Sequence, residues 1–288
     1  MLKFRTVPLV LLSLTAFAIS GYVGYAYVSY KRTVAEGAAS QVPEDVSERY
    51  DLIADKFDME VDSMEKLMGL PKLRKKLCQE AYGDVLEVSI GTGRNLEFYD
   101  WNFKGYNGVG RVGSDHKIRE GKVKSFTAVD KSAEMLGVAH EKFAAKYPGI
   151  LGIRWIVQDA AEPIPNPPLS ANERSGSKPN KRYDTIIQTM GLCSTGDPVG
   201  LLKNLGRSLE PGGRILLLEH GKGTWDWVND ILDGLAPRHA REFGCWWNRD
   251  IGEIVRESGL EIVDIKRKHF GTTWRVELRL PIEVKIGR

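Results

Sequence analysis

Short apolar runs that stop at an acid or a glycine alternate with stretches of helical spacing, and this alternation restricts the chain to few folds. Residues 84–89 (DVLEVS) open the series and run straight into Gly91-Thr92-Gly93-Arg94-Asn95, after which a helix is expected. Residues 126–130, 153–159, 183–190 and 214–219 read as the second to fifth strands. Ser132 is an N-cap, and Leu136, Val138/Ala139, Phe143 and Tyr147 follow it at helical spacing. Asp197-Pro198 opens a helix to about Leu209, and Pro211-Gly212-Gly213 turns the chain into the fifth strand. Two further helical patterns cover roughly 225–235 and 249–258. Such alternation predicts an α/β fold, a mostly parallel sheet covered on both faces. The closing runs, 260–268 and 272–285, lie too close together for a crossover helix and must pair as an antiparallel hairpin. Long loops at 102–122 and 163–181 interrupt the pattern.

A different segment precedes all of this. From Val7 to Val28 there are 22 residues without a charge, between Lys3/Arg5 and Lys31/Arg32. At 1.5 Å per residue they span about 33 Å, enough for a hydrocarbon core of about 30 Å. The stretch is too long for a simple cleaved signal, so residues 1–32 read as a transmembrane anchor. Tyr22, Tyr25, Tyr27 and Tyr30 crowd its end, where aromatics sit at headgroup level. Residues 33–47 are small and polar, a linker by composition, and 48–286 form the folded domain. The first 35 residues carry +4 of the net +3, which leaves −1 for the remainder. A nucleic-acid binder keeps its basic excess in the folded domain, so none is expected as a partner. Three scattered cysteines without a CxxC pair argue against a disulfide framework and against a metal centre.

Chemistry gathers at the ends of the strands. The glycines at 91 and 93 let backbone N–H groups approach a ligand, although any tight strand-to-helix turn favours glycine. Leu96 stands where a dinucleotide fingerprint has its third glycine, which disfavours a nicotinamide oxidoreductase. Glu87 lies within an apolar strand and needs a partner; the cationic amino-acid end of a cofactor would supply one. Asp130 ends the second strand, where an acid accepts from ribose hydroxyls, and Asp159-Ala160 ends the third, facing an adenine amine. Each acid taken singly also fits a helix cap.

The joint pattern resembles a family. Residues 87–93 (EVSIGTG) look like motif I of the class I S-adenosylmethionine-dependent methyltransferases, 128–136 (AVDKSAEML) like the second motif and 158–160 (QDA) like the third. Residues 209–217 look like the turn and fifth strand of that family, and Tyr50-Asp51, Ala54 and Phe57-Asp58 like its short capping helix. Closer groups are the fungal mitochondrial inner-membrane methyltransferase-like proteins and the anchored ones of the endoplasmic reticulum, whose acceptors include alkyl thiols. The resemblance implies a Rossmann-like sheet with S-adenosyl-L-methionine as cofactor. It would be held by Glu87, Ser89, Gly91, Gly93, Asp130, Lys131, Asp159, Ala160 and Gln188. Ser89 stands where the family usually has a glycine, and Glu87 to Asp130 spans 43 positions, about twenty more than usual, an insertion after the first helix.

No Asn/Asp-Pro-Pro-aromatic motif follows the fourth strand and no Pro-Cys dipeptide occurs, which disfavours methylation of DNA bases. His220 is the base expected for catalysis, with a ring near its working pKa, though a lone histidine is commonly structural. Trp225, Trp227, Trp246 and Trp247 either line an apolar acceptor pocket or pack a helical cover. The basic runs at 72–76 and 266–268 are solvated faces or membrane contacts. The sequence thus leads to an anchored single-pass methyltransferase of the mitochondrial inner membrane, or else of the endoplasmic reticulum. Its expected acceptor is small-molecule or lipid-like, with a thiol or hydroxyl, and membrane protein partners fit the anchor. A non-catalytic assembly factor that keeps the fold is the competing reading.

Overall fold

The computed structural model describes residues 6–101, 111–112, 118–119, 121–148, 150, 153–169 and 181–281. Seven strands form one sheet: β1 (Gly83–Val88), β2 (Val123–Asp130), β3 (Arg154–Val157), β4 (Tyr183–Thr189), β5 (Leu209–His220), β6 (Glu261–Lys268) and β7 (Thr273–Arg279). Their order is β3-β2-β1-β4-β5-β7-β6. β7 runs antiparallel to both neighbours, which is the hairpin expected from the short connection. The remaining pairs are parallel, with β1 between β2 and β4.

Side-chain alternation divides the core. On one face Leu86, Ile186, Ile215 and Leu217 pack beneath helices α5 (Pro198–Arg207) and α7 (Ile251–Glu257). On the other, Val85, Phe126, Ile187 and Leu216 meet α3 (Leu70–Cys78) and α4 (Ala133–Lys146), together with Tyr99 and Trp101. The caps fall where the sequence places them. Ser132 Oγ accepts from Met135 N, and Asp197 Oδ1 accepts from Gly200 N.

Three expectations change. Within the described residues 94–101, a single 3₁₀ turn, Leu96–Phe98, follows the Gly91–Gly93 turn in place of a regular helix. Leu96, Tyr99 and Trp101 turn under the sheet together, and the Trp101 indole N–H donates to Leu96 O at 3.0 Å, so this segment packs inward and forms no amphipathic stripe. β5 begins at Leu209, with Pro211-Gly212-Gly213 forming an irregularity inside the strand. Helix α6 (Asp226–Phe243) continues through Pro237, eight residues past the predicted end. The insertion contributes a two-residue antiparallel pair, Arg111–Val112 with Ile118–Arg119; the rest of it, most of the 163–181 loop and the end of the 272–285 run lie outside the described residues.

Helix α1 (Thr6–Ala38) is one rod of 33 residues, about 50 Å long. From Val10 to Val28 every side chain is exposed, and the helix is long and apolar enough to cross a membrane. It does not give way to a loose linker. Its last turns pack on α6: a Cβ added to Gly37 would lie 3.4 Å from Pro237 Cβ, and Arg238 Nη1 donates to Thr33 Oγ1 at 3.3 Å. The small residues that suggest a linker are what allow this close approach. Beyond Ala38 the chain forms a strap. Pro43 O accepts from Trp246 Nε1 at 3.0 Å, Glu44 O from Arg249 Nη2 at 3.2 Å, and Val46 N donates to Ser194 O at 3.0 Å.

Candidate functional site

A cavity of about 690 Å³ opens above the C-terminal ends of β1, β2, β4 and β5. Helix α2 (Arg49–Met68) covers one side with Tyr50, Phe57, Val61 and Met64, and α6 the other with Leu232, His239 and Phe243. The strap supplies Asp45 and Ser47. At the strand ends the lining is acids and backbone, and from α2 and α6 it is mostly apolar side chains.

At the strand ends, Asp130 Oδ2 accepts from Gly91 N at 2.7 Å and Oδ1 from Ser132 N at 2.9 Å. Burial nonetheless raises the Asp130 pKa above the ordinary aspartate value. Asp159 Oδ1 accepts from Ala161 N at 2.9 Å, closing the turn after β3. Lys131 Nζ lies 3.8 Å from Asp159 Oδ2 and donates to Ser47 Oγ at 3.0 Å, tying the strap to this end. Gly91 has φ +57° with open space where a Cβ would stand, so a ligand can approach its backbone closely even though its N–H is given to Asp130. Ser89 also has a left-handed φ, +51°, a conformation that glycine adopts without cost; the family's usual glycine at this position has a physical reason.

Of the residues expected at the cofactor, Ser89, Gly91, Asp130, Lys131, Asp159 and Ala160 line this cavity, and His220 does too. Glu87, Gly93 and Gln188 do not. Glu87 points to the α3 face of the sheet, where its oxygens accept from Asn95 Nδ2 and Tyr99 OH, both at 2.7 Å. The expected cationic partner is therefore replaced by two internal donors, and burial pushes the Glu87 pKa up to about 7. Gly93 is a packing glycine: an added Cβ would lie 2.5 Å from Leu96 Cδ1 and 3.0 Å from Ala139 Cβ. Gln188 is buried beneath Ser89 and Gly191, and its amide has no partner among the described residues.

His220 ends β5, paired with Thr273 in the ladder, and its imidazole makes no hydrogen bond within the described residues. Desolvation drives its pKa down to about 4, far from the value expected of an ordinary ring, so the imidazole is neutral at physiological pH. His239 lies in the same wall, its ring stacked 3.9 Å from that of Trp247, and burial likewise depresses it to about 4. Of the four tryptophans, only Trp247 lines the cavity; Trp225 and Trp227 face solvent, and Trp246 bonds the strap.

A family model described as a methyltransferase domain matches residues 63–265. The chain belongs to that methyltransferase family. It is 37% identical over 242 residues to the mitochondrial methyltransferase OMS1 of Saccharomyces cerevisiae, covering 84% of this chain and 47% of that protein, so it spans about half the length of this relative. It is 28% identical over 212 residues to the ubiquinone/menaquinone biosynthesis C-methyltransferase UbiE of Shewanella sediminis, covering 72% and 70%. A DhpI complex with S-adenosylhomocysteine superposes with a TM-score of 0.51 at 16% identity, covering 83% of this chain and 96% of that one. The sheet is that of the class I S-adenosylmethionine-dependent methyltransferases.

Within the methyltransferase, the sequence reading missed Arg74. Its guanidinium is buried and donates to Glu65 Oε1 at 2.8 Å, Asn95 Oδ1 at 3.2 Å and Thr189 Oγ1 at 2.6 Å, at the cavity wall. The signal was present: Arg74 falls on the 70, 73, 74, 77, 78 stripe of α3, the apolar face, so it could not belong to a solvated run. Arg94 was missed too. It binds Asp58, Asp62 and Glu65 at 2.7–2.9 Å, clamping α2 over the glycine turn.

Cys193 and Cys245, 52 positions apart, are both buried in the cavity wall. The neighbouring thiol lowers the Cys193 pKa and raises that of Cys245, where burial adds to the rise. Arg249, whose Nη2 donates to Thr195 O at 2.6 Å, is a cation near both and favours their thiolates, against the burial that holds Cys245 up.

Proposed function

We propose that this methyltransferase moves the methyl group of S-adenosylmethionine to a small lipophilic acceptor with a thiol or hydroxyl nucleophile. The observation that carries the reading is one cavity that brings Asp130, Asp159 and the glycine turn together with a mostly apolar cover from α2 and α6 and a neutral imidazole in its wall.

The residues present fit the cofactor. Asp130, at the end of β2, offers a carboxylate to ribose hydroxyls, and Asp159 with Ala160 borders the adenine region. Gly91 offers an uncovered backbone, and Gln188 beneath Ser89 and Gly191 has an unpaired amide. Arg74, the buried cation of that wall, suits the carboxylate of the amino-acid end rather than the ammonium for which Glu87 was expected. Bound there, the cofactor supplies a methyl group on a sulfonium, an electrophile that needs no metal.

The chain's own residues orient, exclude water and receive a proton. Tyr50, Phe57, Met64 and Phe243 make a dry wall that favours an apolar acceptor. As the nucleophile is methylated it sheds a proton, and His220 Nδ1 or Nε2 is free to accept it. A ring with a pKa of about 4 is a weak base. Such a base suits an acidic nucleophile, a thiol or phenolic hydroxyl, better than an alcohol.

Helix α1, the mitochondrial relative and the lack of an acid before Glu36 support a single-pass protein of the mitochondrial inner membrane. The relatives named for ubiquinone/menaquinone biosynthesis put quinol-like compounds among the acceptors to test. Membranes incubated with methyl-labelled S-adenosylmethionine, with and without the protein, test the reading. A labelled lipophilic product that depends on the protein supports it, and label confined to protein or RNA overturns it.

A further inference from the structure

Trp225 and Trp227 are 58% and 56% exposed, and Phe270, at the tip of the β6–β7 hairpin, is 68% exposed. Trp227 and Phe270 touch, and Trp225 stands beside them at the N-cap of α6. The Trp227 and Phe270 rings meet edge to face with centroids 6.0 Å apart, and Thr224 N donates to Phe270 O at 2.8 Å. The hairpin tip is held at a cost in backbone strain: His269 and Phe270 have φ +52° and +57°, unfavourable for bulky side chains. Strain of this kind is retained where the surroundings over-determine it, at sites with a task. Here it presents an aromatic ring to the outside.

The patch stands beside the membrane-crossing helix. Tyr30 and Val34 of α1 pack on Gly234, and Gly37 packs on Pro237, so residue numbers rise together and the two helices run the same way. The N-terminal end of α6 therefore points back towards the uncharged stretch of α1. Trp227 is seven residues before Gly234, about 10 Å along the helix and on the face that α1 occupies. Lys222 and Lys268 flank the patch without ion-pair partners among the described residues, and Asp226 is the acid within it.

We propose that Trp225, Trp227 and Phe270 enter the interfacial layer of the bilayer that α1 crosses, giving the domain a second membrane contact. Exposed tryptophan with flanking lysine is the composition of an interfacial anchor, since the indole has an apolar body and one N–H for the headgroup layer. The occupant is the lipid surface itself, with anionic headgroups facing the lysines. This rests on α1 spanning the membrane and is independent of the acceptor's identity.

α1 contains no tryptophan, so indole emission reports only the domain. The full-length chain is reconstituted into phosphatidylcholine–phosphatidylglycerol vesicles with acyl chains brominated near the headgroup, and into the same vesicles without bromine. Two of the seven tryptophans lie in the patch, so bromine should quench roughly a quarter of the emission. Trp225→Phe with Trp227→Phe should abolish the quenching, whereas Trp246→Phe should retain it. Emission indifferent to bromine in chains that float with the vesicles, or quenching that persists in the double variant, overturns the inference and leaves the anchor standing. Chains that fail to float overturn both.

Discussion

Asp130 Oδ2 accepts the backbone N–H of Gly91 at 2.7 Å, so the acid that ends β2 holds the turn that follows β1. The pocket end nearest the glycines is thereby shaped by a side chain 39 positions away. In the proposed binding mode a carboxylate oriented by two backbone donors would meet ribose hydroxyls without rearrangement, and burial would strengthen that bond.

Asp130→Ala should weaken S-adenosylmethionine binding ten- to over a hundredfold, or about 1.5–3 kcal/mol, read by calorimetry on the detergent-purified chain. Glu87→Gln should leave binding within a few fold of wild type, because Glu87 faces Asn95 and Tyr99 inside the protein. Reversal of these two results would return the cofactor to Glu87.

The pH dependence of stability carries a mark of Glu87. Its pKa in the folded chain, about 7, lies above that of the unfolded chain, so folding favours the protonated acid. The associated stability is complete below the unfolded value of about 4.5 and is lost as pH rises through 7, about 3 kcal/mol in all. Denaturant midpoints at pH 5 and pH 8 should differ less for Glu87→Gln than for wild type. An unchanged difference would mean that the Asn95 and Tyr99 donors already hold the group ionised.

For His220 the shift runs the other way. With a pKa of about 4 the ring stays neutral from pH 5 to 8, so methyl transfer should show no histidine limb between pH 6 and 7. His220→Ala should lower turnover about 100-fold at constant cofactor affinity. A matching loss of cofactor affinity would place His220 in the cofactor site instead.

The α1–α6 contact should be sensitive to volume. A Cβ on Gly234 would stand 2.9 Å from Tyr30 Oη and 3.0 Å from Val34 Cγ2, so Gly234→Val should cost about 1–3 kcal/mol. Gly137→Ala, in α4 with no atom within 4 Å of the added Cβ, should instead stabilise by up to about 1 kcal/mol. Thermal midpoints in detergent compare the two, and a neutral Gly234→Val would show that the helices separate freely.

Strand identities, strand polarity, the closing hairpin and the helix caps were legible because each depends on local pattern: alternation, loop length, or one side chain before a helix. What escaped was set by long-range contact. Glu87 was correctly marked as needing a partner, but Asn95 and Tyr99 became available only because the chain after Gly93 turns inward. Pro237 reads locally as a helix stop, yet α6 continues through it. Residues 33–38 look like a linker until α6 is placed against them. Arg74 was the avoidable miss, since its helical position already put it on the buried face.

The unbroken course of α1 has a consequence for orientation. A helix turns about 100° per residue, so the face that meets α6 at Gly37 stands at a fixed angle to the exposed apolar stretch Val10–Val28. One residue inserted between Val28 and Thr33 would swing the domain about the rod by that angle, and four would bring it nearly back, one turn higher. With α1 crossing a bilayer as proposed, which side of the domain lies towards it is a matter of helical phase.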